Sequence, residues 1–304
     1  MSFAPARVGT RRSALALAQT ALVVERLRGF GLEVETVPIS THGDRAPSDG
    51  SMMLERGAFV KDLEAALLRC EVDLAIHSAK DLPTEVAEGT ALAAFPPRGD
   101  ARDALVSRNG SRFADLPQGA RVGTESPRRQ AFVRLARPDL TVEPIRGNVD
   151  TRLSRLDAGE IDALVLAAVG LERLGLAGRI TEAFSVKTMI PAVGQGALVI
   201  QTRAGDPWAE RAREIDDWST RMEVTAERAF LSAMGGGCRA PFAAHASWSR
   251  GEIAIEAAAL RPDGGAILRD RLTGSDEDAV AIGERIARWL LERGAAGLTL
   301  EARE

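Results

Sequence analysis

One strand–turn–helix pattern occurs twice in the chain. Residues 7–10 and residues 121–124 both read Arg-Val-Gly-Thr, a short apolar segment that ends in a Gly-Thr turn. A helical stretch follows each segment, and Ser126 with Pro127 suits the N-cap and the first helical position of the second one. Strands that lead directly into helices are typical of α/β folds, so two similar α/β lobes are predicted.

A second pair of segments supports the same interpretation. Helical stretches at 61–70 and 150–159 are each followed by an apolar strand, Glu71–Ile76 and Glu160–Leu166. Apolar runs of this kind are typical of parallel sheets that are buried on both faces. We expect the two lobes to be joined by two connecting segments, which would leave a cleft with hinge freedom.

The pattern changes after about residue 217. A helix at 222–234 is followed by three glycines and then by three strands of alternating polarity, which two tight turns connect. An amphipathic helix at 278–293 closes the chain. These elements predict a small third domain of the α+β class.

The charge composition excludes several classes of function. Acidic residues number 43 and basic residues 39, for a formal net charge of −4. This balance argues against bulk binding to nucleic acid or to an anionic membrane. Only Lys61, Lys80 and Lys187 are lysines, and all other basic residues are arginine. Codon bias explains such a skew, but planar guanidinium groups are also the better partners for carboxylates.

The cysteine content argues against a disulfide framework and a metal site, and the short apolar segments argue against a membrane span. Cys70 and Cys238 are too few for a disulfide framework, and no Cys/His cluster has the spacing of a metal site. The longest apolar run, 163–169, is too short to cross a membrane. Arg11 and Arg12, which precede an Ala/Leu run, fit a twin-arginine signal or a strand followed by a helix of the mature domain. We favour the second interpretation and expect a cytoplasmic protein.

Polar clusters follow several predicted strands at their carboxyl ends, where open α/β sheets bind ligands. The clusters are Thr10–Ser13, His77–Asp81, Thr124–Arg129, and Arg146–Asn148 with Arg152. Helix N-termini and arginines together form anion sites, although any one pair, such as Arg128 and Arg129, also fits a solvated helix face. Four clusters at equivalent positions predict a ligand with several negative charges.

Two further residues suggest specific chemistry. Asp81 is a carboxylate among cations, which fits stabilisation of a cationic intermediate, proton transfer, or a plain surface pair with Lys80. Cys238 follows three glycines, so its thiol would be accessible to a large group. The usual alternative for a lone cysteine is packing in the core.

In chain order these clusters resemble the porphobilinogen deaminase (hydroxymethylbilane synthase) family of tetrapyrrole biosynthesis. The matching strings are Gly9–Ser13 with Leu15-Ala16 and Gln19, Phe59–Lys61, His77–Pro83, Arg102–Ala104, Val122–Gln130, Arg146–Asn148 with Thr151–Leu153, Gly194–Gly196, and Glu227-Arg228 with Gly236–Cys238. The ordered set is highly specific, and it implies lobes that resemble those of type 2 periplasmic binding proteins. On this basis we expect lobe 1 at 1–96 with 193–216, lobe 2 at 102–192, and a cofactor-bearing α+β domain at 217–304.

The resemblance also implies an activity and a cofactor. Four porphobilinogen molecules would be joined head to tail into hydroxymethylbilane with release of ammonia, and a dipyrromethane cofactor would hang from Cys238 by a thioether. Asp81 would stabilise positive charge on pyrrole nitrogens, and Arg102 would assist ammonia release or chain elongation. The residues expected to bind cofactor and substrate carboxylates are Arg11, Ser13, Lys80, Thr124, Ser126, Arg128, Arg129, Arg146, Arg152 and Gln195. Glu125 adds a negative charge beside these groups, and its side chain is expected to point away from them.

Two other classes of protein are compatible with such lobes. A non-catalytic, two-lobed anion-binding protein predicts an unmodified Cys238 and a cleaved N-terminus. A DNA-bound regulator needs a helix-turn-helix segment, and the sequence has none. We expect the enzyme, acting as a monomer on porphobilinogen, with no nucleic-acid, membrane or metal partner.

Overall fold

The computed structural model describes residues 5–40, 60–235 and 240–300 of the chain. The chain divides into two compact units, Met1–Gly99 with Gly196–Arg221 and Asp100–Gln195 with Met222–Glu304. Each unit is therefore built from two separate stretches of sequence. Within the described ranges, no helix is both long enough and apolar enough to span a membrane.

The first unit is built on one five-stranded sheet. Its strands are β1 (Ala6–Arg11), β2 (Val34–Ile39), β3 (Leu74–Ser78), β4 (Thr90–Ala94) and β10 (Leu198–Arg203). They lie in the order β2-β1-β3-β10-β4, with β1, β2 and β3 parallel and β10 antiparallel to both of its neighbours. The helices of this unit are α1 (Ala14–Gly29), α2 (Lys61–Leu68) and α6 (Trp208–Ala212).

The helix α1 follows β1 after a two-residue turn. The Ser13 side chain caps this helix by accepting a hydrogen bond from Ala16 N (3.3 Å), and Leu27 is fully buried in the core of the unit. Arg11 and Arg12 therefore lie at a strand–helix junction inside the fold. This arrangement confirms the strand-and-helix interpretation of the segment.

The strand β3 begins at Leu74, three residues later than its apolar pattern predicts. Cys70 has a left-handed φ of 57°, and Glu71 N donates to Ala66 O (2.9 Å), which is the hydrogen bond of a helix C-terminus. The residues before Leu74 thus complete the end of α2. Local turn chemistry outweighs the strand preference of the predicted segment.

The second unit contains two sheets, of which the first repeats the plan of the first unit. Its strands are β5 (Asp103–Ser107), β6 (Arg121–Gly123), β7 (Thr141–Glu143), β8 (Ala163–Ala167) and β9 (Glu182–Ala183). They lie in the order β7-β6-β8-β5-β9, with β6, β7 and β8 parallel and β5 antiparallel to β8. The accompanying helices are α3 (Pro127–Ala136), α4 (Val149–Asp157) and α5 (Ala168–Arg173).

The second sheet of this unit is an antiparallel meander. Its strands are β11 (Phe242–Ser249), β12 (Glu252–Leu260) and β13 (Ile267–Ser275), and its helices are α7 (Trp218–Ala233), α8 (Ala279–Glu292) and α9 (Ala295–Leu300). The hairpin turn after β12 lies on α3, because Arg134 Nη1 donates to Pro262 O (2.8 Å). The predicted class, mixed α/β with two sheet–helix lobes and a small α+β part, is confirmed. The predicted domain limits stay a prediction.

The two lobes share one ion-pair motif, at the start of β1 in the first unit and of β6 in the second. Arg7 N donates to Asp73 Oδ2 (2.9 Å), and Asp73 N donates to Arg7 O (2.8 Å). In the second unit Arg121 and Asp162 exchange the same two hydrogen bonds, at 2.8 and 2.9 Å. The motif ties β1 to the chain entering β3 and β6 to the chain entering β8.

Candidate active site

The first unit brings four of the predicted site residues to one edge of its sheet. Arg11 ends β1 and Ser13 opens α1, while Lys80 and Asp81 lie in the single 3-10 turn that follows β3. β1 and β3 are adjacent and parallel, so their carboxyl ends meet at the same edge. All four residues are partly exposed at this edge.

Asp81 differs from most of the aspartates that the structure describes, because no partner is found for it among those residues. Among the described residues, no group donates a hydrogen bond to its carboxylate, and it forms no ion pair with Lys80. The plain Lys80–Asp81 surface pair is therefore not formed. An unpaired, partly exposed carboxylate at the same sheet edge as Arg11 and Lys80 is available to a cationic group of a ligand.

The second unit buries a network centred on Asp103, the first residue of β5. Its Oδ2 accepts from Arg128 Nη1 (2.7 Å), and its Oδ1 accepts from Arg129 Nε (2.8 Å) and Gln195 Nε2 (2.9 Å). Asp103 and Gln195 are completely buried, and Arg128 and Arg129 are only 4% and 7% exposed. The alternative of a solvated helix face for the two arginines is wrong.

Burial alone would raise the pKa of Asp103, but the charges of Arg128 and Arg129 outweigh it and hold this pKa well below its usual range. Burial, followed by repulsion from Arg128, lowers the pKa of Arg129, and Asp103 opposes that shift. The network thus contains two guanidinium groups and one carboxylate. Its remaining positive charge suits an anionic ligand group.

The predicted residues Thr124 and Ser126 shape the turn that leads into α3. Thr124 is completely buried, and its Oγ1 accepts from Ser126 N (3.4 Å). The Ser126 side chain caps the helix by accepting from Arg129 N (3.5 Å). This turn sets the direction in which the two arginines leave the helix, and a direct contact of either hydroxyl with a ligand stays a prediction.

Arg146 and Arg152 flank the start of α4. Arg146 Nε donates to Glu125 Oε1 (3.0 Å), so the expectation that Glu125 points away from the predicted carboxylate-binding residues is wrong. Arg152 Nε donates to Gly147 O (2.8 Å). Burial, and then repulsion from Arg129, lowers the pKa of Arg152 to about 10. The carboxylate of Glu125 balances part of the charge of this group.

Arg102 lies just before β5 and pairs with a residue that the sequence did not single out. Its Nε and Nη2 donate to the carboxylate of Asp100 at distances of 2.7–3.0 Å. The Arg102 side chain is still half exposed. Burial alone would raise the pKa of Asp100, but hydrogen bonds from Arg102 outweigh this effect, so the pKa lies below its usual value. A role of Arg102 in ammonia release stays a prediction.

Cys238, the predicted attachment point of the cofactor, lies outside the described residues. The sequence interpretation gave no role to two carboxylates, Asp103 and Asp100, although Asp103 lies within the matching string Arg102–Ala104. An available signal for Asp103 was its place at the head of an apolar strand, where a carboxylate needs a buried partner.

The comparisons with known proteins agree on one family. The sequence matches “Porphobilinogen deaminase, dipyromethane cofactor binding domain” over residues 6–211 and “Porphobilinogen deaminase, C-terminal domain” over residues 221–292. The porphobilinogen deaminase of Acidothermus cellulolyticus is 47% identical over 296 residues, which cover 95% of this chain and 89% of that protein. The porphobilinogen deaminase of Deinococcus deserti is 46% identical, with 98% of both chains covered.

Solved structures of binding proteins are more distant. The methionine-binding protein MetQ aligns with a TM-score of 0.44 and 14% identity, over 69% of this chain and 89% of that one. A periplasmic substrate-binding protein from Coxiella burnetii aligns with a TM-score of 0.40 and 15% identity, over 69% and 91% of the two chains. Likeness at this level carries no functional argument.

Proposed function

The chain belongs to the porphobilinogen deaminase family, and on this premise we propose how its residues serve the reaction of that family. It is a transferase that condenses four molecules of porphobilinogen head to tail into hydroxymethylbilane in tetrapyrrole biosynthesis. Each condensation forms one carbon–carbon bond between pyrrole units and breaks one carbon–nitrogen bond. One ammonia therefore leaves for every porphobilinogen added.

A dipyrromethane is the cofactor of the family, and the residues of the second unit fit it. Each of its two pyrroles carries an acetate and a propionate, and when bound it supplies the pyrrole carbon to which the first substrate molecule is joined. Arg128 has a buried Nε with no acceptor among the described residues, which suits a ligand carboxylate. Cys238 would hold the cofactor by a thioether, because the three glycines before it leave room for a large group.

The remaining cations of the second unit would bind further carboxylates of the growing chain. Arg146 and Arg152 each commit Nε to the protein and keep other guanidinium nitrogens for a ligand. The N-terminus of α3 at Ser126 adds backbone N–H groups and the positive end of a helix dipole. Every added pyrrole brings two more carboxylates, so a set of several cations is required.

The observation that supports a catalytic role most directly is the unpaired carboxylate of Asp81 at a cationic sheet edge. Positive charge develops on pyrrole nitrogens as ammonia leaves and the rings are joined. A carboxylate held at that position stabilises the charge without having to reorient. Arg11, Ser13 and Lys80 would bind substrate carboxylates at the same edge, and Ser13 also caps the N-terminus of α1.

Intact mass and product formation test this function together. The chain isolated from cells that make porphobilinogen should carry an adduct of two pyrrole units and should form hydroxymethylbilane. Cys238→Ser should lack the adduct. The matched control Cys70→Ser should keep it, because Cys70 is exposed at the end of α2. A wild-type chain of bare polypeptide mass that forms no hydroxymethylbilane would overturn the proposal.

A non-catalytic anion-binding protein, the alternative from the sequence, rests on lobe architecture alone. It requires an unmodified Cys238, so the same mass measurement decides between the two. We keep a cytoplasmic monomer with no nucleic-acid or membrane partner as part of the proposal. The acidic net charge of −4 supports the lack of polyanionic partners.

A further inference from the structure

Glu125 is a carboxylate that the fold places among the predicted carboxylate-binding cations of the second unit. It follows β6, and Arg146 follows the neighbouring parallel strand β7, so both residues lie at the carboxyl edge of the sheet. Thr124 N donates to Glu143 O (2.9 Å), which joins the two segments just after the strands. Glu125 Oε1 then accepts from Arg146 Nε (3.0 Å). The pair therefore follows from the strand order of the unit.

The pair of Glu125 and Arg146 uses one hydrogen bond where several other described pairs use two. Arg102 and Arg137 each present Nε and Nη2 to a carboxylate, which is the stronger, forked geometry. Among the described residues, Arg146 gives Glu125 only its Nε, and Glu125 Oε2 is buried without a donor. A carboxylate oxygen that is removed from water without a partner opposes the pairing. Glu125 thus holds Arg146 weakly.

The charge of Glu125 also acts on a second cation of this edge. Burial, and then repulsion from Arg129, lowers the pKa of Arg152 to about 10, and the charge of Glu125 opposes this shift. The side chains of Arg146 and Glu125 are 38% and 37% exposed, so a ligand can reach the pair. A ligand carboxylate has the same chemistry as the carboxylate of Glu125. The two groups would therefore compete for one guanidinium.

We propose that Glu125 is an internal counter-ion of Arg146 that competes with ligand carboxylates and so weakens their binding at this edge of the second unit. The inference rests on the proposed function, in which the bound chain gains two carboxylates with every pyrrole. Cations without counter-ions would hold such a chain more tightly at each addition. One weakly held carboxylate lowers that affinity and keeps the guanidinium. Glu125 acts through Arg146, so it is a positioning residue and not a catalytic one.

Cofactor assembly tests the competition without relying on turnover. Full-length chain from cells that make no porphobilinogen is mixed with porphobilinogen, and the two-pyrrole adduct is followed by intact mass. Glu125→Gln keeps the shape of the side chain and removes its charge, so it should lower the porphobilinogen concentration for half-maximal loading about two- to fivefold. Glu125→Ser should shift it in the same direction, and it replaces Glu125→Gln if that variant does not fold. An unchanged or higher concentration in the folded variant would overturn the inference.

Glu160→Gln is the matched control. Glu160 accepts a hydrogen bond from Arg155 Nε (2.6 Å) in the same unit, and it precedes β8, so it lies at the opposite edge of the sheet. Removal of this charge should leave the loading concentration within about 1.5-fold of wild type, because salt screens exposed charges over such a separation. A decrease equal to that of Glu125→Gln would overturn the inference, since loading would then respond to net charge alone.

Arg146→Gln removes the guanidinium for which the two carboxylates are proposed to compete. In this background Glu125→Gln should lower the loading concentration by less than about 1.5-fold. A full two- to fivefold decrease would overturn the inference, because Glu125 would then act through another group. The comparison with Glu160→Gln decides if Arg146→Gln does not load. A wild-type chain that acquires no adduct overturns the proposed function as well, whereas a wild type that loads, with no decrease in Glu125→Gln, overturns this inference alone.

Discussion

The sheet–helix lobes of the first and second units share a sequence pattern but differ in the burial and pairing of a carboxylate at the carboxyl edge of the sheet. Both contain the paired Arg and Asp, at β1 and at β6, and both have a Gly-Thr turn before a serine-capped helix. At the carboxyl edge of the first unit, Asp81 is partly exposed and unpaired among the described residues. At the same edge of the second unit, Asp103 is buried and binds two arginines.

The return strand explains the difference. In each lobe one antiparallel strand pairs with the end of a parallel strand, as Asp103 pairs with Ala167 and Leu198 pairs with Ser78. The same topological position thus supplies a carboxylate in one lobe and an apolar side chain in the other. A buried carboxylate positions cations, whereas an exposed one can act on a ligand.

The largest effect is expected from removing Asp103, the carboxylate at the start of β5, where the first unit has Leu198 at the start of β10. Asp103→Ala leaves two buried guanidinium groups without their counter-charge, which should lower the free energy of unfolding by about 3–5 kcal/mol. Asp100→Ala, which breaks the half-exposed pair with Arg102, should cost about 0–1 kcal/mol. Urea titration of the unloaded chains measures both. Equal costs would show that burial does not set the two carboxylates apart.

The carboxylate of the first unit should affect chemistry and not folding. Asp81→Asn should lower the rate of pyrrole coupling about 10²–10³-fold, because the amide keeps the shape and loses the charge. Asp81→Glu should retain partial activity. Single-turnover ammonia release in cofactor-loaded variants measures the step, with Glu88→Gln as a matched control for loss of an exposed acidic charge. A rate for Asp81→Asn within about threefold of wild type would remove Asp81 from the mechanism.

A pH difference between the units should follow from His77 in β3. Burial lowers the pKa of this histidine from 6.5 to about 4. The unfolded chain therefore takes up a proton between pH 6.5 and 4 that the folded chain does not, so stability of the first unit falls as the pH falls through this window, by up to about 3 kcal/mol. Asp103, with its lowered pKa, loses its contribution only below the usual range for a carboxyl.

Hydrogen exchange resolves this pH effect by region. Amides of β3 should lose protection between pH 6.5 and 4, after correction for the intrinsic exchange rate, while amides of β6 and β8 should not. His77→Gln should remove the effect. If β3 keeps its protection in the wild type across this window, the histidine is protonated in both states and the assignment fails.

The smallest effects should come from the glycine that β1 and β6 have in common, Gly9 in the first unit and Gly123 in the second. A Cβ on Gly123 would lie 2.8 Å from Ile161 Cδ1 and 3.0 Å from Ile145 Cγ2, whereas a Cβ on Gly9 would lie 3.1 Å from Val72 Cγ2. Gly123→Ala should therefore destabilise by about 1–3 kcal/mol and Gly9→Ala by less. Thermal melts of the two variants make the comparison. The reverse order would mean that the core around Ile161 yields more easily than that around Val72.

Local pattern was sufficient for much of the fold and for part of the site. The apolar periodicity placed β1 and α1, and the Ser126-Pro127 pair placed the start of α3, because caps and hydrophobic faces are properties of neighbouring residues. Clusters at strand ends could be predicted because parallel strands bring their carboxyl ends together. The start of β3 was placed too early, since the left-handed Cys70 has no signature as clear as a glycine.

The sequence alone determined that cations gather at the carboxyl ends of two similar lobes and that Asp81 stands among them. Only the tertiary structure decided which cations are neutralised within the protein. Arg128 and Arg129 meet Asp103 and Gln195 from distant segments, and Glu125 meets Arg146 from 21 residues away in the chain. Such pairings depend on which strand lies next to which and on how far each side chain is removed from water. Those quantities are set by packing of the whole unit, because a charge finds its partner in space and not along the chain.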